Sequence, residues 1–167
     1  MSTERIARAA NDLVVAAIDA EATIAVAESL TGGLVASSLV AVPGTSAVFR
    51  GGIVSYQTPV KHTVLDVDAE LLAAVGPVDP QVAQAMAERV RALFVVDGVA
   101  AAIGLATTGV AGPTDQDGHP VGDVFVAVAT AETTRVEHLM LTGSRDEIRT
   151  QAVAAVLELG REVVTEM

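Results

Sequence analysis

The 167-residue chain contains one lysine and one tyrosine, five positions apart in Ser55-Tyr56-Gln57-Thr58-Pro59-Val60-Lys61. Every other Lys/Arg position holds arginine. An arginine stays protonated inside proteins and accepts no proton, whereas a lysine driven neutral by burial becomes a base. If the protein uses an amine base, Lys61 supplies it. A composition rich in Ala, Val and Arg also fits a bias that exchanges lysine for arginine, with Lys61 simply left over. The choice between these readings depends on whether Lys61 has a nucleophile to serve.

Ser29, in Glu28-Ser29-Leu30-Thr31-Gly32-Gly33, is the candidate nucleophile. The motif stands where a short apolar run, 23–27, gives way to a helical pattern. In α/β folds the carboxyl end of a strand is where ligands bind. Paired glycines admit close backbone approach, and the first N–H groups of a helix can hold an anion or a developing oxyanion. Thr31, Gly32 and Gly33 are therefore candidate substrate-binding positions. The plainer alternative is that Ser29 or Thr31 caps the helix. Tyr56 and Lys61 follow a second strand-like run, 51–56, which places them on the same rim. A serine activated by a lysine is an established nucleophile arrangement. A tyrosine hydroxyl beside it relays a proton or fixes the amine, and the alternative for Tyr56 is an aromatic side chain at the rim.

Two further segments are candidates. Thr108 and Gly109 open a Gly/Pro/Asp loop after the apolar run 98–106; such a loop suits a flat ligand, although a plain irregular loop is the favoured reading. Arg145 and Arg149 lie four apart in the first turns of a C-terminal helix, where they can hold a phosphate or form a solvated face paired with Asp146 and Glu147. The solvated face is favoured. His62, His119 and His138 lack metal-ligand spacing and are expected in solvated or capping roles, so no metal and no cofactor is expected.

Composition narrows the function classes. A net charge of −11 argues against nucleic acid and anionic membrane as partners, which need clustered cations. The absence of cysteine removes disulfides, thiolate metal sites and cysteine nucleophiles. No signal peptide or membrane-length apolar run is visible, so a cytoplasmic protein is expected. With 51% hydrophobic but 2% aromatic residues, the core must be aliphatic, and an aliphatic surface favours a homo-oligomer.

The elements that position these residues follow from hydrophobic spacing. Helices are expected over 3–20, 34–42, 60–65, 68–74, 79–94 and 144–164, the last opened by the capping box Ser144–Glu147. Strands are expected over 23–27, 51–56, 98–106, 121–130 and 134–141, the final two forming a hairpin. Alternating strands and helices followed by two successive strands predict a single three-layer α/β/α domain, 1–167, with a mixed β-sheet.

In their order, these segments resemble the C-terminal domain family of competence/damage-inducible CinA proteins. The matching stretches are Ala27–Gly33, Pro43-Gly44-Thr45-Ser46, Gly52–Tyr56 with Lys61, Thr108–Pro113, Pro120-Val121-Gly122, and Gly143-Ser144-Arg145 with Arg149. Each is weak alone; the ordered set is specific and covers nearly the whole chain. Stand-alone members of that family act as nicotinamide-nucleotide amidases. The resemblance implies deamidation of nicotinamide mononucleotide to nicotinate mononucleotide, with Ser29 as nucleophile and Lys61 and Tyr56 as base and proton relay. A non-catalytic nucleotide-binding module built on the same rim is the alternative. Some members carry an additional N-terminal nucleotide-processing domain, for which this chain is expected to have no room. The chain departs from the family pattern at Leu30 (often Cys), at Gly76-Pro77-Val78-Asp79 (typically Gly-Ala-Val-Ser) and at His119 (typically Lys).

Overall fold

A computed structural model describes residues 2–167. Helix α1 (Ser2–Asp19) buries Ala9, Ala10, Leu13, Val14 and Ala17, the i, i+3, i+4 stripe of an amphipathic helix. Strand β1 (Ile24–Glu28), helix α2 (Leu34–Val40), a 3-10 turn (Thr45–Ala47), strand β2 (Phe49–Val54) and helices α3 (Thr58–Thr63), α4 (Ala69–Val75) and α5 (Pro80–Leu93) follow. The chain continues through β3 (Val95–Val96), β4 (Val99–Ala100), β5 (Ile103–Gly109), β6 (Asp123–Ala129), β7 (Thr134–Met140) and α6 (Arg145–Thr165). Asp68 and Asp79 cap α4 and α5, and Ser144 and Glu147 form the expected capping box on α6. Each such cap stabilises its helix by about 1 kcal/mol.

Five strands form one sheet in the order β2-β1-β5-β6-β7. β1 runs parallel to β2 and β5, β6 pairs antiparallel with β5, and β7 antiparallel with β6. Helices cover both faces, so the architecture is the expected three-layer α/β/α arrangement with a mixed sheet. Alternation along the strands gives the two faces different characters. Ile24, Val26, Ile103, Leu105, Val124 and Val126 pack under α1, α2 and α6. Ala25, Ala27, Ala106 and Ala127 face the opposite way, under α5. Small residues there let α5 lie close to the sheet, and a Cβ at Gly104 would collide with the Ala87 carbonyl.

The run 98–106, expected as one strand, divides into β4 and β5. β4 pairs with β3 as a small antiparallel hairpin. Its turn, Asp97-Gly98, has φ of 51° and 78°, the left-handed conformations that a two-residue hairpin loop demands. β5 also continues through Thr107, Thr108 and Gly109, expected as loop, because β6 pairs with all three. Conversely, β2 stops at Val54, which leaves Ser55 and Tyr56 outside the strand. No helix among the described residues is long and apolar enough to cross a membrane.

The parallel core sets the position of the site. β1, β2 and β5 end on one rim, so Ser29, the 55–61 segment and the Thr108-Gly109 end of β5 meet there, as expected from strand ends alone.

Candidate active site

Lys61 is buried, 1% exposed, on the short helix α3. Its Nζ lies 2.9 Å from Ser29 Oγ and donates to the Ser55 carbonyl at 2.7 Å. No carboxylate among the described residues forms an ion pair with it. Burial without a counter-ion disfavours the ammonium and lowers the amine from its ordinary value of 10.5 to about 8. The neutral amine can accept the Ser29 proton while it still donates to the Ser55 carbonyl. Ser29 is itself 8% exposed and lines a cleft of about 250 Å³ together with Lys61, Tyr56, Thr108, Gly109 and Arg145. A larger groove of about 900 Å³ between α1 and α6 is lined by none of the candidate residues. The smaller cleft is therefore the one with chemistry in it.

The turn after Ser29 is built by Glu28. This side chain is 1% exposed, and its carboxyl oxygens accept from the Gly33, Val35 and Ala36 amides at 2.9, 3.0 and 2.9 Å. Glu28 thus satisfies the first free N–H groups of α2, the capping role considered for Ser29 or Thr31. Both hydroxyls are released for other partners. Ser29 Oγ turns to Lys61, and Thr31 Oγ1 pairs with Thr107 Oγ1 at 2.8 Å in the fully buried interior. Thr107 also receives the Ser29 amide, on its carbonyl at 3.0 Å and on its hydroxyl at 3.4 Å.

These contacts correct the expected anion site on the glycines. The Gly32 amide donates to the Ser29 carbonyl at 3.1 Å and the Gly33 amide to Glu28, so neither N–H is free for an oxyanion. Thr31, Gly32 and Gly33 do not line the cleft. Gly32 and Gly33, with φ of 59° and 98°, serve the turn, a left-handed geometry that a Cβ would strain.

Tyr56 reaches the cleft from its outer edge and is 57% exposed. Its hydroxyl accepts from Arg145 Nη2 at 2.8 Å and has no hydrogen bond to Ser29 or Lys61. Arg145 also donates to the Gly112 carbonyl, at 2.6 Å, and so bridges the cleft between the 55–61 segment and the loop after β5. Thr108 is 1% exposed and donates to the Pro77 carbonyl at 2.6 Å, which ties that loop to the start of α5. The ordered sequence Gly76-Pro77-Val78-Asp79 therefore contributes a wall of the cleft through Pro77 and Val78.

Arg149, paired with Arg145 in sequence as a candidate phosphate clamp, is not in the cleft. Its donors meet the Leu30 and Thr31 carbonyls and the Asp146 carboxylate. Two histidines also depart from expectation. His119 Nδ1 and His138 Nε2 converge on the two oxygens of Asp123, at 2.7 and 2.6 Å, instead of standing as separate solvated groups. They are nineteen positions apart and meet only because β6 and β7 pair. The Ser55 carbonyl, Thr107 and the capping role of Glu28 escaped the sequence reading. Of these, Glu28 carried a signal: an acid ends an otherwise apolar strand six positions before α2 begins at Leu34.

The chain matches the family model of the CinA C-terminal domain over residues 6–164. It is 49% identical over 147 residues to a CinA-like protein of Frankia casuarinae, covering 88% of this chain and 33% of that protein. It is 46% identical over 140 residues to a putative competence-damage inducible protein of Caldanaerobacter subterraneus, with 83% and 33% covered. The chain thus spans about a third of the length of these curated relatives. Among solved structures, a CinA-superfamily protein of Klebsiella pneumoniae superposes with a TM-score of 0.90 at 29% identity, over 97% of this chain and 99% of that one. A competence/damage-inducible protein of Agrobacterium tumefaciens gives 0.88 at 29% identity, with 96% of each chain covered. The segment order seen in the sequence, the mixed sheet and these matches agree: the chain belongs to the CinA C-terminal domain family.

Proposed function

We propose that the protein is a serine amidohydrolase that deamidates nicotinamide mononucleotide to nicotinate mononucleotide and ammonia. The observation that carries this reading is the 2.9 Å contact between Ser29 Oγ and a buried Lys61 with no counter-ion. A lysine kept near neutrality by burial is suited to general-base work at ordinary pH. Ser29 Oγ attacks the carboxamide carbon as its proton passes to Lys61 Nζ. The tetrahedral intermediate expels ammonia, which takes that proton as the C–N bond breaks. Water then attacks the acyl-serine ester, giving its proton to Lys61 and then to the departing Ser29 oxygen, and the nicotinate carboxylate is released.

The nucleotide half of the substrate rests on the family resemblance and on Arg145. This guanidinium lines the cleft and is held by two neutral oxygens, which a phosphate can replace with a stronger, charge-assisted bond. Tyr56 then serves as the partner that parks Arg145, and its hydroxyl becomes free when the nucleotide binds. The same reading keeps the protein cytoplasmic and homo-oligomeric; the exposed Val95, Val96 and Val99 on the β3–β4 hairpin support the second point.

Incubation with nicotinamide mononucleotide tests this directly. The wild type should release ammonia and nicotinate mononucleotide, and Ser29→Ala should bind the nucleotide without turning it over. Nucleotide binding by the wild type with no ammonia would make the domain a binding module. Wild-type turnover by the Ala variant would remove Ser29 from the mechanism.

A further inference from the structure

Arg149 grips the nucleophile loop from outside the cleft. Nε donates to the Leu30 carbonyl at 2.9 Å and Nη2 to the Thr31 carbonyl at 3.0 Å, while Nη1 lies 3.5 Å from Asp146. A guanidinium presents its N–H groups as a rigid planar fork, so two consecutive carbonyls are held at once. Each carbonyl shares a peptide plane with the next N–H, and across a trans peptide the two point in opposite directions. Fixing the Leu30 carbonyl therefore turns the Thr31 N–H away from Arg149. Fixing the Thr31 carbonyl does the same for the Gly32 N–H, which is found on the Ser29 carbonyl.

The Leu30 and Thr31 amides themselves have no acceptor among the described residues, although Leu30 is 4% and Thr31 0% exposed. Buried backbone N–H groups without partners are rare. Here two occur in succession, immediately after the candidate nucleophile, and Leu30 lines the cleft. Thr31 is fully buried and does not line the cleft, so with the Gly32 and Gly33 amides already engaged the Leu30 amide is the donor left in the turn for a developing oxyanion.

We propose that Arg149 is a positioning residue that aims the Leu30 amide as the oxyanion donor of Ser29: by fixing the Thr31 carbonyl it turns the Gly32 N–H onto the Ser29 carbonyl, whose peptide carries the Leu30 N–H on its opposite side. The proposal rests on the serine-nucleophile reading above. Arg149 does not line the cleft and so meets no substrate; it acts through two peptide groups. As Ser29 Oγ bonds to the carbonyl carbon, the C=O electron pair moves to oxygen, and that oxygen accepts from the Leu30 N–H. The Gly32 N–H on the Ser29 carbonyl polarises that peptide and strengthens the Leu30 N–H as a donor.

The test uses a fluorophosphonate probe, whose phosphoryl oxygen enters an oxyanion hole whatever the physiological substrate. Oγ–P forms, P–F breaks, fluoride leaves and the proton goes to Lys61. Ser29 modification is followed by intact mass and peptide mapping. Arg149→Met should react roughly tenfold slower or more than wild type, with an unchanged pH dependence and a retained thermal transition. Millimolar guanidinium should accelerate Arg149→Ala and leave wild type unaffected. With nicotinamide mononucleotide the loss should fall on kcat and not on KM. If Arg149→Met does not fold, Arg149→Lys keeps the charge but not the fork and should still react several-fold slower. Wild-type labelling rates in the folded variants would overturn the role of Arg149 and leave the nucleophile standing. Failure of wild-type Ser29 to react at all would overturn the nucleophile itself, and the proposal with it.

Discussion

Lys61 and Asp123 are both buried on the rim where β1, β2 and β5 end, and their surroundings differ in one respect. Lys61 meets a serine hydroxyl and a backbone carbonyl but no opposite charge, so burial lowers its proton affinity unopposed. Burial also acts on Asp123, pushing its carboxyl up. The hydrogen bonds from His119 and His138 outweigh that effect and hold it below its ordinary value. His138 is fixed in turn by stacking on Phe125, with ring centroids 4.5 Å apart. A buried charge whose partners are in place is held in one protonation state and serves structure. A buried charge without them sits near the point of changing state, which is where a catalytic base must be.

The largest effect should come from supplying Lys61's position with a cation that cannot deprotonate. Lys61→Arg is expected to lower ammonia release by about a thousandfold or more, close to the effect of Lys61→Met, because arginine offers no lone pair to Ser29. Retention of a tenth of wild-type activity in the Arg variant would show that the site needs charge and not a base.

Next in size is the dependence on pH. Only neutral Lys61 can accept the Ser29 proton, so kcat/KM should climb about tenfold per pH unit below about 8 and level off above it. The stability effect has its own sign. With the folded-state value depressed to about 8 and the unfolded one near 10.5, the unfolded chain binds more protons between these pH values. Stability contributed by this group should therefore rise with pH across that window and stay constant below it. Comparing wild type with Lys61→Met by chemical denaturation between pH 7 and 10.5 isolates the term. A flat difference would mean that Lys61 titrates alike in both states.

The smallest catalytic effect is expected at the other centre. Asp123→Asn should leave turnover within a few-fold of wild type but cost on the order of 1–3 kcal/mol at neutral pH, through two weakened hydrogen bonds to a charged group. Because the folded-state value of Asp123 is depressed, its contribution is present above the ordinary carboxylate value and lost as pH falls. The two proteins should thus converge in stability in acid. An Asn variant that folds normally and loses turnover as Lys61→Arg does would make Asp123 part of the chemistry and erase the distinction between the two centres.

Much of this arrangement was legible in the sequence, for reasons that particular residues show. Helix α1 and strand β1 were readable because their apolar spacing matches the period of each element over its whole length. The rim could be placed because Ser29 and Lys61 each follow a strand, and parallel strands end on the same side. The β3–β4 hairpin was missed, although Asp97-Gly98 between valines is a hairpin turn signal, because the surrounding apolar run masked the break. The end of β5 was missed because Thr107 is strand through its pairing with β1 and β6, and Thr108 and Gly109 through β6 alone. Arg145 and Arg149 were indistinguishable as a helical i, i+4 pair. One bridges the cleft and the other holds backbone behind it, a difference set by which side of the nucleophile loop each side chain passes.

The sequence by itself determined the layered α/β plan, the aliphatic core and the few residue types able to do chemistry, because periodicity and composition are local properties of the chain. Family membership was legible for the same reason, since it lies in the order of short motifs. The tertiary structure decided which of those residues were brought together and in what surroundings. Lys61 is held below its ordinary value because α3 buries it against Ser29, with no carboxylate among the described residues in ion-pair contact although the chain's net charge is −11. Ser29 is free to meet it because Glu28 caps α2 in its place. Desolvation and the direction of a hydrogen bond depend on groups brought together from distant segments, and no local pattern encodes them.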